Sequence, residues 1–312
     1  MIKLTKRAIL NGPLSHHEQQ SIASKIAQLG DAKMTKTSHG YLPGKDETIL
    51  AAATRGAENY TTKSRASSAI AIMDVVLAAN RDYNRAVKEH VDAMRKRYGP
   101  LTIKQLGAMV DSAATASEFK TVWGHNDARK FEILKALLKA FTPRLDQLDT
   151  PEHDFLVISE WARSAQLPNK ARDPVGRIKD IGIATFQHLR MTFGADTIKP
   201  DLRVKNVLER EFDLHLSDRD SILAVEQMAK IAGCTPLLID QIFVKYGSGY
   251  YYRTPSGKSQ GDGERDAPSL RTLIADLLEY AEKYADNQDE PENGHCRDTI
   301  AAARNYLSVT AG

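Results

Sequence analysis

The spacing of apolar residues predicts a chain built almost entirely from helices. Between residues 67 and 84, Ile70, Met73 and Leu77 recur at the three- and four-residue intervals of a buried helix face. Similar spacing predicts further helices near 15–30, 46–54, 85–98, 102–110, 126–141, 152–165, 203–211, 218–231 and 236–246. Residues 31–45 read as loop, and no alternating strand pattern or internal repeat stands out. The pattern therefore favours the all-α class.

Capping residues predict where several of these helices begin. Ser15 and Glu18 have the spacing of a capping box, in which each side chain accepts the main-chain N–H of the other residue. Ser217 and Thr235 precede two later apolar runs, where a hydroxyl oxygen can accept an N–H of the first helical turn.

Composition is typical of a soluble globular protein. Of 312 residues, 42% are hydrophobic and 27% are charged, and no apolar run is long enough to cross a membrane. Two cysteines, Cys234 and Cys296, are too few for a disulfide framework or a four-cysteine metal site. The histidines show no metal-ligand spacing, and the N-terminus has no secretory signal pattern. We expect a cytoplasmic protein without a metal and without a membrane partner.

The net charge of +3 is too small to indicate a nucleic-acid partner, but the basic residues are unevenly distributed. One cluster lies between residues 170 and 205 and contains Lys170, Arg172, Arg177, Lys179, Arg190, Lys199, Arg203 and Lys205. Such a stripe would attract phosphates through counterion release. A solvated helix face is the alternative interpretation.

A helical hairpin is predicted inside this basic cluster. Asp173 can cap a short helical turn over 175–179, Gly182 breaks it, and a second helix follows over 184–193. The first N–H groups of that second helix have no partner within it, so together with the helix dipole they can bind a phosphate. Apolar hairpins of this kind also occur in helical proteins that do not bind DNA.

The segment after the hairpin carries a carboxylate. Pro200 biases Lys199 away from helical geometry, so a short extended crossing is expected, with Asp201 at the mouth of the next helix. We expect this carboxylate to face the same bound strand as the hairpin. Asp201 can also be a plain helix N-cap, and the two roles can coexist.

These motifs resemble the helix-hairpin-helix DNA glycosylase superfamily. The resemblance lies in I-K-D-I-G-I-A-T-F and F-G-A-D-T-I-K-P-D-L-R-V, and extends less specifically to VVLAANRDYN, FKTVWGHNDARKFEILKALLKAF and LLIDQIFVKYG. It implies a two-lobed helical core over 67–248, with the hairpin at 175–193. Residues 1–66 would be a helical extension packing on that core, 249–268 a flexible loop, and 269–312 a second helical extension.

The resemblance also implies an activity, namely removal of an extruded base by cleavage of its N-glycosidic bond, with Asp201 as the catalytic carboxylate. Residues implied to hold the DNA backbone are Lys179, Ile181, Gly182, Ala184 and Thr185. Residues implied to fill the duplex or line the base pocket are Asn80, Arg81, Tyr83 and Trp123.

The chain departs from the family pattern in three ways. Ala184 stands where members that also cut the backbone have lysine, which implies a monofunctional enzyme that uses water. The alternative is that Lys179 or Lys199 supplies the amine. Asp180 replaces the first glycine of the hairpin, and the four-cysteine loop for an iron–sulfur cluster is absent.

The resemblance also implies a partner, which is double-stranded DNA bound by a monomer. No cofactor is implied beyond a monovalent cation at the hairpin. The S-G-K-S at 256–259 lacks the first glycine of a nucleotide-binding loop.

Several alternatives stay open at this point. Trp161 and the run Tyr250-Tyr251-Tyr252 are further stacking candidates, although core packing is the more common use of such residues, and Asp240 is given no catalytic role. The chain could instead be a non-catalytic DNA-binding module or a helical scaffold. A glycosylase could act on damaged or deaminated bases, on mismatched adenine, or on a bulky modified base such as a glycosylated cytosine in phage DNA, which would make it a defence enzyme.

Overall fold

The computed structural model describes residues 4–37, 40–41, 47–81, 83–145 and 148–251, and over these ranges the chain is mainly helical. The α-helices are α1 Lys6–Asn11, α2 His16–Asp31, α3 Ile49–Glu58, α4 Thr62–Ala66, α5 Ser68–Ala78, α6 Tyr83–Ala86, α7 Lys88–Tyr98, α8 Ile103–Asp111, α9 Ala116–Trp123, α10 Ala128–Phe141, α11 Pro151–Ser164, α12 Ile183–Thr192, α13 Leu202–Phe212, α14 Asp218–Ala232 and α15 Pro236–Gly247. Short 3₁₀ turns cover Thr142–Arg144 and Leu167–Asn169. The predicted all-α class is confirmed for the described part of the chain.

A small antiparallel pair lies in the segment that was predicted to be a loop. Strand β1 (Lys36–Thr37) pairs with β2 (Gly40–Tyr41), with Lys36 opposite Tyr41 and Thr37 opposite Gly40. The expected loop over 249–268 lies outside the described residues from 252 onward, and the expected C-terminal helices over 269–312 lie wholly outside them.

The predicted caps are present. The Ser15 hydroxyl accepts the Glu18 N–H at 3.2 Å, and the Glu18 carboxylate accepts the Ser15 N–H at 2.8 Å. Ser217 accepts the N–H of Asp220, and Thr235 accepts that of Leu238, each at 3.2 Å. Each bond satisfies a donor that the helix itself leaves free, so these helix starts follow from local sequence.

Buried apolar side chains form two clusters. The first cluster is drawn from residues 69–195, centred on the apolar helix α5 and the aromatic residues of α9–α12. The second cluster combines residues 4–53 with residues 198–246. The N-terminal helices therefore share a core with α13–α15, and they are integral to that half of the molecule.

The chain passes from the first cluster to the second between Ala195 and Ile198. Buried polar groups hold this crossing in place. The Gln187 side chain of α12, which is fully buried, donates to the Thr197 hydroxyl at 2.7 Å, and Thr197 donates to the carboxylate of Glu226 on α14 at 3.4 Å. Because buried polar groups are costly when unpaired, these contacts favour one path for the crossing.

Among the described residues, no single helix is long and apolar enough to cross a membrane. Helices α14 and α15 pass that test only as a pair, and they are bent by 108° relative to each other.

Candidate functional site

The start of helix α12 is open to an external ligand. Gly182 is its N-cap residue, and no side chain accepts a hydrogen bond there. A Cβ atom added at Gly182 would meet nothing within 4 Å, and its φ of −74° suits any L-residue. The main chain at Gly182 is therefore open on its Cβ side, and no side chain caps the first N–H groups of the helix.

Asp180 gives the hairpin its sharp turn. Its φ is 68°, in the left-handed region that glycine adopts most easily and that aspartate tolerates better than most other residues. Asp180 therefore makes the turn at some cost in backbone strain.

The predicted helical turn over 175–179 is wrong, because this limb is a series of turns. Arg177 N–H bonds to the Asp173 carbonyl, but the next bonds span only three residues, from Ile178 to Val175 and from Ile181 to Ile178. A Cβ at Gly176 would lie 2.3 Å from the Lys170 carbonyl oxygen, so the limb packs too tightly there for any other residue.

Asp173 caps this limb as expected. One carboxylate oxygen of Asp173 accepts the N–H groups of Val175 and Gly176, both at 2.9 Å. The Trp161 indole N–H also donates to the Asp173 carboxylate, at 3.1 Å. The hairpin is thus anchored to helix α11 by a buried aromatic residue.

Only part of the basic cluster is free to meet a phosphate. Arg190 points inward, where it donates to the Ala162 carbonyl at 3.1 Å and to the Gln187 side chain at 2.7 Å. Lys170 donates to the Gly176 carbonyl at 2.7 Å. Exposed members of the cluster are Arg172, Arg177, Lys179 and Arg203. The basic surface is therefore smaller than the sequence indicates and lies beside the hairpin.

Asp201 is the N-cap of helix α13. Its Oδ1 atom accepts the N–H groups of Arg203 at 3.0 Å and Val204 at 3.1 Å, while Oδ2 lies 3.9 Å from the Lys199 ammonium. The side chain keeps 26% of its surface exposed. The capping role and an open carboxylate oxygen thus coexist in one residue.

A second carboxylate lies close to Asp201. Asp240 on α15 is 2% exposed, and its Oδ1 atom accepts the main-chain N–H of Lys199 at 3.0 Å. Burial raises the pKa of Asp240 to about 7. The Lys199 N–H bond opposes the rise, and the negative charge of Asp201 adds to it. Asp240 therefore changes its charge near neutral pH, unlike an ordinary aspartate.

The raised pKa makes protein stability depend on pH. Between about pH 4 and pH 7 the folded chain holds a proton on Asp240 that the unfolded chain releases, so this stabilisation is present at low pH and is lost as the pH rises through about 7. We expect the advantage of wild type over Asp240→Asn in free energy of unfolding to fall by roughly 1–4 kcal/mol across that window. Urea denaturation at several pH values measures it, and a difference that is independent of pH would contradict the assignment.

Tyr60, which follows α3, and Asp74, on α5, are two further polar residues that interact electrostatically with this region. The pKa of the Tyr60 phenol is raised by burial and then by the negative charges of Asp240, Asp201 and Asp74, so Tyr60 lies near all three carboxylates. Asp74, on α5, accepts hydrogen bonds from Tyr83 and Arg95, each at 3.2 Å. Asp74 is therefore held by a tyrosine hydroxyl and a guanidinium at the edge of the first cluster.

Asn80 lies at an exposed turn just beyond α5, which ends at Ala78 instead of continuing to residue 84. Asn80 has a left-handed φ of 57°. The buried ammonium of Lys130 donates to the carbonyls of Val76, Leu77 and Ala79 at 2.8, 3.1 and 2.7 Å. A cation at the C-terminal end of a helix satisfies its free carbonyls and its dipole. Lys130 therefore ends α5 and holds the turn that carries Asn80.

We expect Lys130→Met to destabilise the fold by about 1–3 kcal/mol, because three carbonyls would lose their donor while the apolar volume is kept. Lys135→Met is the matched control, since Lys135 lies on the same helix and pairs with Glu132 at 3.7 Å near the surface. Chemical denaturation gives both values. Equal stability of the two variants would show that the Lys130 bonds are not needed.

The remaining residues predicted to insert into DNA or to line its pocket have different environments. The Arg81 guanidinium lies 3.5 Å from the carboxylate of Asp127, the N-cap of α10. Tyr83 is partly buried against Asp74. Trp123 is 1% exposed, packs on Phe119 with ring centroids 5.1 Å apart, and donates to the His125 carbonyl. Trp123 is therefore a core residue, and its assignment to the base pocket is corrected, because a base has no access to its ring.

The other aromatic candidates also have structural partners. Trp161 is 2% exposed and is held by Asp173. Tyr251 stacks on Tyr246 with centroids 4.0 Å apart, and the Tyr250 carbonyl accepts the N–H of Thr35, which ties this run to the N-terminal segment. Tyr252 lies outside the described residues. We retain none of these as a base-stacking surface.

Sequence reasoning missed three polar residues near the site, Tyr60, Asp74 and Lys130, and it gave Asp240 no catalytic role. For the two aspartates a signal was present. Asp74 is the single charge in the apolar helix SAIAIMDVVLA, and Asp240 interrupts LLIDQIF. A lone carboxylate inside an apolar run is costly to bury, so it marks a place where the structure supplies partners.

Comparison of the chain with protein-family models, with curated proteins and with solved structures gives no match. Within the described ranges, no group of three histidine, cysteine, aspartate or glutamate side chains is placed to hold a metal ion. The function must therefore be argued from the geometry of the site.

Proposed function

We propose that the chain is a monofunctional DNA glycosylase of the helix-hairpin-helix superfamily, which removes an extruded base and leaves an abasic site. The observation that carries the proposal is the Asp201 side chain. Its Oδ1 atom caps α13 while the carboxylate stays 26% exposed beside Lys199, at the point where the chain enters the second cluster. A two-lobed arrangement with the DNA between the lobes would fit the two hydrophobic clusters.

The hairpin supports a grip on the DNA backbone. Uncapped N–H groups at the start of α12 can bind a phosphate without reading sequence, aided by Thr185 and by the exposed charge of Lys179. A phosphate can approach closely because Gly182 has no side chain and no neighbour within 4 Å of a Cβ position. A monovalent cation at the hairpin is part of the same proposal.

The target nucleotide has to leave the base stack before the sugar can reach Asp201. Asn80, on its exposed turn, is suited to fill the vacated space. As the bond between the anomeric carbon and the base nitrogen breaks, positive charge develops on the sugar, and the Asp201 carboxylate would stabilise it. Water then forms the new carbon–oxygen bond. One of its protons stays on the sugar hydroxyl, and the other passes to Asp201 or solvent, from which one proton is delivered to the departed base. Ala184 provides no amine for a covalent intermediate, which favours water.

The decisive experiment is mass spectrometry of bases released from a panel of DNAs. The panel contains damaged, deaminated and mismatched duplexes and phage DNA with glycosylated cytosine, each treated with wild type and with Asp201→Asn. We expect one class of base to be released by wild type only. Binding without release from any DNA would favour the non-catalytic module. Binding that is absent, or that does not weaken with added salt, would favour a helical scaffold.

A bulky modified base is favoured among the substrates by the contribution of the N-terminal segment to the site. Tyr60 follows α3 and lies near the carboxylates of Asp201 and Asp240, so a segment outside the motif-bearing region shapes this part of the site. If such a base is the substrate, cells that express the protein should plate phage with modified cytosine less efficiently than unmodified phage. Equal plating would exclude this substrate.

A further inference from the structure

The crossing that presents Asp201 is held by a buried carboxylate from a distant helix. Asp240 lies on α15, and its Oδ1 atom accepts the Lys199 N–H at 3.0 Å, two residues before Asp201. Its Oδ2 atom accepts the side-chain N–H of Gln241 at 3.2 Å. With 2% of its surface exposed, Asp240 is shielded from water. Both oxygens of Asp240 are therefore engaged within the protein, and one of them holds the main chain.

The position of Lys199 determines that of Asp201, because the chain between them is short and stiff. Pro200 fixes its own φ, and the Asp201 N–H donates back to the Lys199 carbonyl at 2.7 Å, which closes a three-residue turn. Asp201 is then held on its other side by the N–H groups of α13. Displacement of the Lys199 amide would therefore displace the Asp201 carboxylate.

We propose that Asp240 is a positioning residue for the reaction proposed above: its ionised carboxylate holds the Lys199 amide so that Asp201 stays in place, and protonation weakens that hold. A hydrogen bond to a charged acceptor is about twice as strong as one to a neutral acceptor, so loss of the charge loosens the crossing. The predicted effect of Asp240 on the reaction rate rests on the proposed glycosylase function. The hydrogen bond from the Lys199 amide to Asp240 is present in the free protein and does not depend on that function.

The groups around Asp240 determine the pH at which its carboxyl group loses its proton. Burial and the charge of Asp201 raise its pKa, while the Lys199 N–H and ammonium and the Gln241 amide lower it, which gives a value of about 7.

Other titratable groups in this region have shifted pKa values of their own. Tyr60, after α3, has its pKa raised, whereas the pKa of His188 on α12 lies well below its usual value because of burial and the Lys199 charge. Burial also lowers the pKa of Lys245 on α15, with Arg55 adding to the effect and Asp240 and Glu47 opposing it. The tyrosine stays neutral and the histidine stays uncharged near pH 7, so neither of them produces a step there.

The experiment compares three proteins: wild type, Asp240→Asn and Asp196→Asn. Asn at 240 can still accept the Lys199 N–H but does not titrate. Asp196 provides a matched control, because it also joins the crossing segment to α15. It is exposed, and its carboxylate accepts the Leu237 N–H at 3.1 Å, whereas that of Asp240 accepts the Lys199 N–H. Single-turnover base release is measured for each protein from about pH 5 to about pH 9.

We expect the wild-type rate to rise with pH through about 7 and then level, since the ionised form holds the crossing. Asp196→Asn should keep this step. Asp240→Asn should lose it and be about 10-fold slower above the step, with unchanged DNA affinity. A step that persists in Asp240→Asn, or that disappears equally in Asp196→Asn, would overturn the inference.

A second measurement does not depend on catalysis. In protein labelled with ¹⁵N-lysine, the Lys199 amide, assigned with Lys199→Arg, should shift in one step near pH 7 in wild type and show no step in Asp240→Asn. An amide without that step in wild type overturns the inference even if the enzyme is active. If the amide shifts but no base is released from any DNA, the glycosylase proposal fails while the hold on the crossing stands.

Discussion

Asp201→Asn is expected to lower the rate of base release on the order of 100–1000-fold, while the fold and the DNA affinity stay the same. The carboxylate would no longer stabilise positive charge on the sugar, because an amide is neutral. Asparagine is as good an N-cap as aspartate, and its oxygen can still accept the N–H groups of Arg203 and Val204. The substitution therefore separates the chemical role of Asp201 from its structural role.

Single-turnover assays and thermal unfolding measure these two roles. Asp220→Asn is the control, since Asp220 lies in the first turn of α14 and its carboxylate pairs with Lys6 at 2.6 Å, near the surface. It should release bases at the wild-type rate. An Asp201→Asn protein with the wild-type rate would remove the basis of the proposed mechanism. Loss of rate together with loss of stability would instead point to a capping role alone.

Gly182→Leu is expected to weaken DNA binding roughly 10- to 100-fold because close phosphate contacts are lost, while the free protein stays folded. Nothing in the described chain lies within 4 Å of a Cβ at this position, and its φ of −74° is ordinary. The protein itself therefore does not require glycine there. A requirement for glycine would come from a ligand that approaches the main chain closely.

The control for this substitution is Gly107→Leu on α8, where a Cβ would also meet nothing within 4 Å. Both variants add the same side chain at an unobstructed position, but only Gly182 begins the helix proposed to bind phosphate. Fluorescence anisotropy with a labelled duplex at two salt concentrations compares them. Equal affinity of the two variants would place the DNA, if any binds, away from the hairpin.

Local sequence was sufficient for the features that depend on neighbours a few residues apart. The capping box at Ser15, the caps at Ser217 and Thr235, and the position of Asp201 at the start of α13 follow from bonds that span two or three residues. The helical class follows from the spacing of apolar residues in the same way. These interactions are set by the chain itself, so they could be predicted.

Only the tertiary structure decided how the individual polar and aromatic residues are used. Lys130 reaches carbonyls more than 50 positions away, and Asp240 holds an amide 41 positions away. Whether Trp123 faces a base or the core, and whether Asp240 is charged at neutral pH, depends on burial by segments that are distant in sequence. The cost of burying a charge or an aromatic ring is set by everything packed around it, and no short window of sequence contains that information.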